Sequence, residues 1–139
     1  MKRTALIAAL LLSWLLPGSA PAFTVKLSPE GKAARWPAES ASIFYAVNPA
    51  GPGSDPAFLA ALDEAFRSWR QAAGGALAFV FSGQKEGAGA ERDGVNTVLW
   101  AEREWNHGPE AVAVATVWYA DRMGTIEEAD IEFNARDYR

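Results

Sequence analysis

The fold is decided by one stretch near the end of the 139-residue chain, Ile126-Glu127-Glu128-Ala129-Asp130-Ile131-Glu132-Phe133-Asn134. Oxygen-bearing and apolar side chains alternate along it, and alternation with a period of two is typical of a β-strand. The oxygen-bearing residues are Glu128, Asp130, Glu132 and Asn134, and the apolar ones are Ala129, Ile131 and Phe133. We therefore predict a strand over residues 128–134 with one polar face and one apolar face.

The polar face of this strand carries like charges at close spacing, and their repulsion has to be compensated. Water does so if the face is a solvated acidic surface on a half-buried strand. A calcium ion is the other interpretation, because calcium favours carboxylate and amide oxygens. The loop 87–94 either adds oxygens to such a site or serves as a plain connector. The calcium candidates are Glu128, Asp130, Glu132 and Asn134.

The clearest helix of the sequence lies between Asp55 and the pair Gly74-Gly75. Asp55 suits the N-cap, Pro56 suits the first helical position, and the two glycines end the segment. Between them, apolar residues recur at steps of three or four and form one stripe, which predicts a helix packed by one face. The stripe consists of Phe58, Leu62, Phe66 (or Ala65) and Trp69.

Four further segments are rich in β-branched and aromatic residues and are bounded by turn formers, which predicts strands. They are residues 42–48, 76–81, 96–100 and 113–119. Segments 82–93 and 102–109 are predicted to be loops, and residues 135–139 have no predicted pairing partner. The order of one strand, one helix and four strands departs from the alternation of a doubly wound sheet. We predict an α+β fold: a mixed, mostly five-stranded twisted sheet with one main helix packed on it.

The first 22 residues have the parts of a secretory signal peptide. Lys2-Arg3 supply the positive start, an apolar run covers residues 5–16, and small residues precede the cleavage site. Cleavage after Ala22 fits the A-x-A pattern better than cleavage after Ala20. The apolar run is shorter than the roughly 20 residues of a spanning helix. We expect a secreted protein, periplasmic or extracellular, with one domain over residues 23–139.

The charge of the predicted mature chain narrows the classes of partner. Removing the signal takes two of the 13 basic residues, which leaves 11 against 17 acidic ones and moves the net charge from −4 to −6. Nucleic acids and anionic membranes both attract basic surfaces, so we expect neither as a partner. The chain has no cysteine, so packing or bound ions must stabilise the fold without disulfides.

The content of possible metal ligands limits what these residues can do. The chain has one histidine, His107, and no cysteine. A catalytic zinc site takes three protein ligands, which normally include at least two imidazoles or thiolates. The 139 residues therefore cannot complete such a site by themselves. His107 lies in the turn-rich segment 105–108, which is typical of a solvated loop residue.

Several segments, in this order and spacing, resemble the bacterial matrixin-like zinc metallopeptidases of the metzincin clan. They are residues 43–48, 65–69, 93–96 with Trp100, 115–116 and 126–134. The resemblance covers about residues 36–134 and implies the upper subdomain of the family's catalytic domain. It also implies that the strand over residues 113–119 is the sheet edge that pairs with an extended substrate. The implied substrate contacts are Val114, Ala115, Thr116 and Val117.

The same resemblance implies a function. The complete family domain is a zinc endopeptidase in which an H-E-x-x-H-x-x-G-x-x-H helix supplies zinc ligands, and that motif does not occur here. We expect the N-terminal part of a secreted zinc metalloendopeptidase acting on peptide or protein substrates, with the zinc helix following Arg139. The alternative is a secreted, non-catalytic module that binds peptides or proteins with the same sheet.

Differences from the family bear on metals and on stability. Animal matrixins carry histidines near Thr116 and Glu132 for a structural zinc, and often a calcium-binding aspartate where Asn134 stands. The differences argue against a structural zinc and leave calcium as a hypothesis. The family's zinc helix also covers part of the sheet, so we expect the isolated domain to be marginally stable. The side chains with poor cover would be those of Ala129, Ile131 and Phe133.

Overall fold

A computed structural model describes residues 24–37, 42–103, 105–120 and 122–138, so the predicted signal peptide lies outside the described residues. Its elements, in chain order, are β1 (Ser42–Val47), a 3-10 turn (Gly51–Ser54), α1 (Pro56–Ala72), β2 (Ala78–Gln84), β3 (Asn96–Ala101), β4 (Ala113–Ala120) and β5 (Thr125–Asn134). Within those ranges, no helix is both long and apolar enough to span a lipid bilayer.

The five strands of the described residues form one sheet in the order β2-β1-β3-β5-β4. β1 runs parallel to both β2 and β3, and β3 runs parallel to β5. β4, at one end, is antiparallel to β5 and places Ala115 opposite Ile131. The predicted α+β class, with a mixed five-stranded sheet and one main helix packed on it, is confirmed.

The helix begins as its sequence predicts and packs by one face. The Asp55 side chain accepts a hydrogen bond from the Ala57 N–H at 2.8 Å, and Pro56 occupies the first helical position. Leu62 is buried in the core between α1 and the sheet. Trp69, predicted to belong to the packed stripe, is instead 68% exposed, because it lines an open cavity near the last turn. The core around Leu62 contains Tyr45, Val47, Val98, Phe58, Leu59, Phe66, Phe79, Ile131 and Phe133.

Two strands, β2 and β5, extend three residues beyond their predicted ends, whereas β3 and β4 extend by one residue. β2 continues through Gln84 although the composition of residues 82–93 predicts a loop. The Ser82 hydroxyl donates to the Tyr45 carbonyl at 2.7 Å and keeps this segment against β1. β5 begins at Thr125 rather than at residue 128, because Thr125 already pairs with Ala120 of β4.

Residues 135–138, predicted to have no partner, fold back onto the domain. The Ala135 N–H donates to the Ala101 carbonyl at 3.1 Å. The Tyr138 hydroxyl donates to the Glu110 carbonyl at 3.2 Å. The end of the described chain is therefore a turn that is bonded to the last residue of β3 and to the loop between β3 and β4.

The turn between β4 and β5 depends on Gly124. Its φ of +66° is a conformation that residues with a side chain rarely adopt. A Cβ at this position would also lie 2.7 Å from the Ala33 carbonyl oxygen. The close approach lets the N-terminal arm (residues 24–37) lie beside β5. There the Arg35 N–H donates to the Gly124 carbonyl at 2.9 Å, and the Ile126 N–H donates to the Arg35 carbonyl at 2.8 Å.

Candidate functional site

β4 forms one end of the sheet, and no strand of the described residues pairs with its outer side. An open strand edge offers N–H and C=O groups that can add an extended peptide as a further strand. Ala115, near the middle of β4, is exposed. The structure thus places all four predicted substrate contacts on an edge strand: Val114, Ala115, Thr116 and Val117.

The backbone groups of β4 alternate in direction. Just before the strand, the Asn134 N–H donates to the Val112 carbonyl at 2.9 Å. Hydrogen-bonded and non-bonded pairs alternate along an antiparallel ladder, so the register assigns Val114 and Thr116 to bonds with β5. The residues whose N–H and C=O groups point to the open edge are Ala113, Ala115 and Val117. Of the four predicted contacts, only the second and fourth therefore offer main-chain groups to a peptide.

A mostly apolar cavity of about 230 Å³ lies on the helix side of the sheet and reaches Ala115. Ala129 and Ile131 line it next to Ala115, because Ala115 and Ile131 are direct neighbours across the β4–β5 ladder. Both β5 residues are half-buried, and so is Phe133, which stacks on Trp100. Aromatic side chains form much of the remaining wall, among them Trp36, Tyr45, Phe66 and Trp69.

The polar side of β5 is buried, so the solvated acidic surface considered from the sequence is wrong. Glu128 is 2% exposed, and Asp130 and Asn134 are 0% exposed. Glu128 accepts hydrogen bonds from residues 85–95, which we call the first loop, and Asn134 donates one to residues 102–112, which we call the second loop. Asp130 accepts one from Thr97 of β3. Burial of a carboxylate is unfavourable unless hydrogen bonds compensate. The hydrogen bonds of each buried side chain therefore show whether it anchors a loop or keeps an oxygen without a partner.

Glu128 holds the end of the first loop. Its carboxylate accepts hydrogen bonds from the N–H of Asp93 at 3.2 Å and from the N–H of Gly94. Gly94 has a φ of +81°, and successive N–H groups in such a turn can bind one anionic group. Within the loop, Lys85 pairs with Asp93 at 2.8 Å, and this hydrogen bond lowers the pKa of Asp93. Glu128 is therefore an anchor for the loop.

Asp130 is a buried carboxylate with one bonded oxygen. Oδ1 accepts the Thr97 N–H at 2.7 Å, whereas Oδ2 has no hydrogen-bond partner among the described residues. Burial raises the pKa of Asp130 to about 7, and the negative charges of Glu128, Asp93 and Glu132 act in the same direction. The bond from Thr97 opposes this shift. Asp130 therefore binds its proton far more tightly than a solvated aspartate does.

Asn96 joins three strands where β3 and β5 separate. The ladder between these strands begins only at Val98 opposite Ile131, so earlier backbone groups need other partners. The Asn96 side-chain oxygen accepts the Ala129 N–H at 2.8 Å, and its amide donates to the Phe44 carbonyl at 2.8 Å. One side chain thus links β3 to β5 before their ladder begins and adds a further bond from β3 to β1.

His107 is not the solvated residue that its sequence context predicts. Its Nε2 lies 3.0 Å from the Glu132 carboxylate, and its ring packs edge-on against Trp105 with centroids 4.7 Å apart. Trp105 is 4% exposed, and its indole N–H donates to the Gly108 carbonyl at 2.9 Å. The second loop is thus attached to β5 through an imidazole–carboxylate contact.

Most of the oxygens that the calcium hypothesis needs already accept hydrogen bonds, and Oδ2 of Asp130 is the exception among the described residues. The Asn134 side chain, for example, accepts the Asp137 N–H at 3.0 Å and donates to the Ala111 carbonyl at 3.1 Å. Within the described ranges, no group of three or more His, Cys, Asp or Glu residues is arranged to hold a metal ion. Calcium at Glu128, Asp130, Glu132 and Asn134 gains no support from this geometry and stays a hypothesis. Catalytic zinc does not fit, because the sequence has a single imidazole and no thiolate.

In comparisons with known proteins, the chain matched no family model, no curated protein and no solved structure. The likeness to matrixin-like peptidases therefore rests on the segments quoted from the sequence. The function has to be argued from the edge, the cavity and the buried polar face.

Sequence reasoning assigns no contact to Asn96 or His107, although both position β5. The partners of Asn96 are the backbone groups of Ala129 and Phe44, which lie 33 and 52 residues away, so no local pattern reports these bonds. For His107 there is no local signal, because its partner Glu132 is 25 residues away.

Proposed function

We propose that this chain carries the substrate-binding sheet of a secreted zinc metalloendopeptidase, with β4 as the strand that aligns the peptide. The observation that supports this most directly is the position of β4, an antiparallel strand at the end of an otherwise parallel sheet. Ala115 turns its N–H and C=O groups to the open side. An extended peptide would pair there as an added strand, and its main chain would supply affinity independent of sequence.

The buried polar face supports the same role by holding the edge in place. β4 is bonded along its length to β5. β5 in turn is held by the contacts of Glu128 and Asp130 with residues 93–97 and by the contact of Glu132 with His107. A strand fixed in this way loses little further conformational freedom when a peptide binds, and preorganisation of that kind favours affinity.

Catalytic zinc is not assigned to any residue of this chain. His107 is the single imidazole, and its Nε2 faces the Glu132 carboxylate at 3.0 Å. The residues present do not fit the ion, so no hydrolytic step is derived from them. Under the proposal, the zinc ligands are residues that do not belong to these 139.

A secreted, non-catalytic module that binds peptides or proteins is the second candidate function. The single histidine of the sequence, His107, already contacts Glu132. This favours the second candidate, because peptide binding at β4 needs no metal ligand. The open edge and the cavity serve both candidates equally. Hydrolysis of the bound peptide is the property that separates them.

Peptide binding at β4 is tested with a fluorescent library of extended peptides, binding being measured by anisotropy. Ala115→Pro removes an N–H that points to the open edge and spares the ladder with β5, whereas Ala115→Gly keeps that N–H. We expect the proline variant to lose binding while its circular dichroism is retained, and the glycine variant to keep binding. Equal binding by both variants would contradict the proposal.

The metallopeptidase and the binding module are then separated by mass spectrometry of the peptides. Under the metallopeptidase proposal, chelator-sensitive cleavage appears only when the codons that follow Arg139 in the gene are expressed together with this chain. Peptide binding without cleavage in that longer protein would favour the non-catalytic module. Chelator-sensitive cleavage by the 139 residues alone would contradict the absence of a fitting zinc site.

A further inference from the structure

We propose that β2, at the other end of the sheet, pairs antiparallel with β2 of a second copy of the chain and forms a two-fold dimer centred on Val80. In the strand order β2-β1-β3-β5-β4, the outer side of β2 has no partner strand among the described residues. The two five-stranded sheets would join into one continuous sheet with a β4 edge at each far end. The dimer therefore leaves β4 accessible and does not depend on the proposed peptide binding.

The direction of the main-chain groups in β1 determines what β2 offers at its outer side. The Phe44 carbonyl of β1 accepts a hydrogen bond from the Asn96 amide of β3 at 2.8 Å. The next carbonyl, that of Tyr45, accepts one from the Ser82 hydroxyl of β2 at 2.7 Å. Because the main-chain groups of successive strand residues point to opposite sides, Tyr45 turns its N–H and C=O groups to β2.

Two phenylalanines of β2 have main-chain groups at the open edge. Tyr45 is opposite Phe81 in the parallel register. In a parallel ladder the slanted bonds of a residue reach the neighbours of its partner, and these neighbours are Val80 and Ser82. The N–H and C=O groups of Phe79 and Phe81 therefore point away from β1 and are available to another strand.

The composition of β2 does nothing to prevent pairing at this edge. Soluble proteins usually protect an edge strand with charges, proline or a bulge. Residues 78–84, Ala-Phe-Val-Phe-Ser-Gly-Gln, contain neither a charge nor a proline. The β1–β2 register is regular until it shifts after Tyr45, close to Gly83 with its φ of +114°. The regular part of the edge is thus residues 78–82, and Val80 lies at its middle.

Symmetry then selects the register of the dimer. A two-fold interface brings the same patch of both copies together, so two antiparallel strands meet with one residue opposite itself. With Val80 at that point, Phe79 lies opposite Phe81 of the second copy, and their outward N–H and C=O groups form hydrogen-bonded pairs on both sides of the axis. Val80 lies in a non-bonded pair, in which the Cα atoms are about 4.5 Å apart.

An exposed apolar patch beside Val80 adds side-chain burial to these bonds. Phe44 is 60% exposed. It lies on the face opposite α1, because its neighbour Tyr45 packs against Phe66 of the helix with ring centroids 4.7 Å apart. Val80 is the register partner of Phe44 and shares that face. In the dimer the two Val80 side chains contact each other and the two Phe44 rings flank them, so each copy covers the same apolar surface of the other.

The charges at the two ends of β2 are complementary in an antiparallel pair. Arg70 lies in the last turn of α1, which leads to the start of β2, and Glu86 follows the end of β2. Both are exposed, and neither forms an ion pair within the part of the chain that the structure describes. The antiparallel arrangement brings Glu86 of one copy to the end where Arg70 of the other copy lies. Exposed pairs of this kind favour one orientation more than they add affinity.

The test uses the fact that residue 80 would lie opposite itself. Val80→Lys and Val80→Glu each place like charges opposite each other at the axis, whereas an equimolar mixture of the two variants places opposite charges there. Sedimentation equilibrium of the full chain should show a wild-type dimer with a Kd of about 1–100 μM, as suits a small interface. Each variant alone should dimerise at least about tenfold more weakly, and the mixture should recover dimers.

Val112→Lys is the matched control, because it makes the same change at a 55% exposed site outside β2. It should dimerise like the wild type. Amide exchange gives a second readout that needs no substitution. The amides of Phe79 and Phe81 should exchange more slowly as the protein concentration rises through the Kd, whereas the Val80 amide, which is bonded to β1, should not change.

Several results would overturn the dimer. One is a wild-type chain that stays monomeric up to about 1 mM with no change in exchange at Phe79 and Phe81. Another is a mixture that recovers no dimer although Val80→Lys and Val80→Glu keep the wild-type circular dichroism. A dimer that Ala115→Pro dissociates and Val80→Lys does not would assign the contact to β4. Filaments would mean that β2 pairs with a different edge, because only a heterologous contact continues without closing. Peptide binding is measured in none of these experiments, so the proposed function stands or fails separately.

Discussion

The Thr97 N–H donates a hydrogen bond of 2.7 Å to Oδ1 of Asp130, and the two residues are 1% and 0% exposed. The bond lies one residue before the β3–β5 ladder, which begins at Val98. A side chain thus stands in for a main-chain partner at the point where two parallel strands separate. Because Oδ2 of Asp130 has no partner among the described residues, the neutral acid is favoured, and the stability of the fold depends on pH.

Stability should fall as pH rises from 4 to 8. The pKa of Asp130 is about 7 in the folded state and 3.8 as the ordinary value, so the folded state binds the extra proton between these values. The stabilisation is complete below pH 3.8 and is lost as pH rises through 7. The contribution of Asp130 to the free energy of unfolding amounts to at most about 4 kcal/mol. Urea denaturation at a series of pH values measures it.

Asp130→Asn isolates the contribution of this carboxyl from those of the other acids. The amide oxygen can still accept the Thr97 N–H, and the side chain no longer ionises. The variant should therefore be more stable than the wild type above pH 7 and should lose this advantage near pH 4. Asp63→Asn, at an exposed site on α1, serves as the control and should follow the wild-type pH profile. Parallel profiles of wild type and Asp130→Asn would refute the assignment.

Asn96→Ala should destabilise the fold by about 1–2 kcal/mol. The change removes two hydrogen bonds of 2.8 Å, a part-buried one from the Ala129 N–H and an exposed one to the Phe44 carbonyl, and a hydrogen bond contributes about 0.5–1.5 kcal/mol net. Asn106→Ala, in an exposed part of the second loop, should change the free energy of unfolding by about 0.5 kcal/mol or less. Matching urea midpoints for the two variants would show that Asn96 does not join the strands as described.

The parts of the fold that sequence reasoning recovers are those with local causes. The cap at Asp55, the proline at position 56 and the alternation along residues 128–134 all act within a few residues. Each of these signals depends on backbone chemistry or on a period, and both can be read from a single sequence. The sheet with one main helix followed from them.

The parts that sequence reasoning misses depend on distant partners. An alternating acidic strand predicts a solvated face as long as nothing is known to cover it. Glu128 is buried because residues 93 and 94 bind it, and they lie 35 and 34 residues away. Periodicity assigns Trp69 to the apolar stripe of α1, but periodicity does not show where the sheet leaves a cavity. Burial of polar groups and gaps in packing are tertiary properties, so local patterns do not report them.

Gly124→Ala should cost about 1–3 kcal/mol and release the N-terminal arm. Two terms contribute: the φ of +66°, and the 2.7 Å approach of a new Cβ to the Ala33 carbonyl oxygen. Gly75→Ala is a matched control, because its φ is +80° and its Cβ would meet nothing within 4 Å. Proteolysis of residues 24–37 should accelerate only in the first variant. Equal losses of stability would mean that the arm contact contributes nothing.

The cavity on the helix side should make the isolated domain marginally stable. Half-buried Ile131 and exposed Trp69 border an unfilled space, so we expect binding of the dye ANS and a broad thermal transition. Ala129→Leu should reduce dye binding and raise the free energy of unfolding by about 0.5–2 kcal/mol, as cavity filling commonly does. Ala61→Leu, the same change at an exposed position of α1, should do neither. A narrow two-state transition of the wild type with dispersed amide NMR signals would disprove marginal stability.

Amide exchange and proline substitution should distinguish Ala115 from Thr116. The register turns the Ala115 N–H to the open edge and assigns the Thr116 N–H to β5, opposite Asp130. The Ala115 amide should therefore exchange much faster with solvent than its neighbour in the free protein. Thr116→Pro removes a ladder bond and should destabilise by about 3 kcal/mol or more, whereas Ala115→Pro should cost clearly less. Slow exchange at Ala115, or a reversed order of the two proline variants, would mean that the edge of β4 is not open as described.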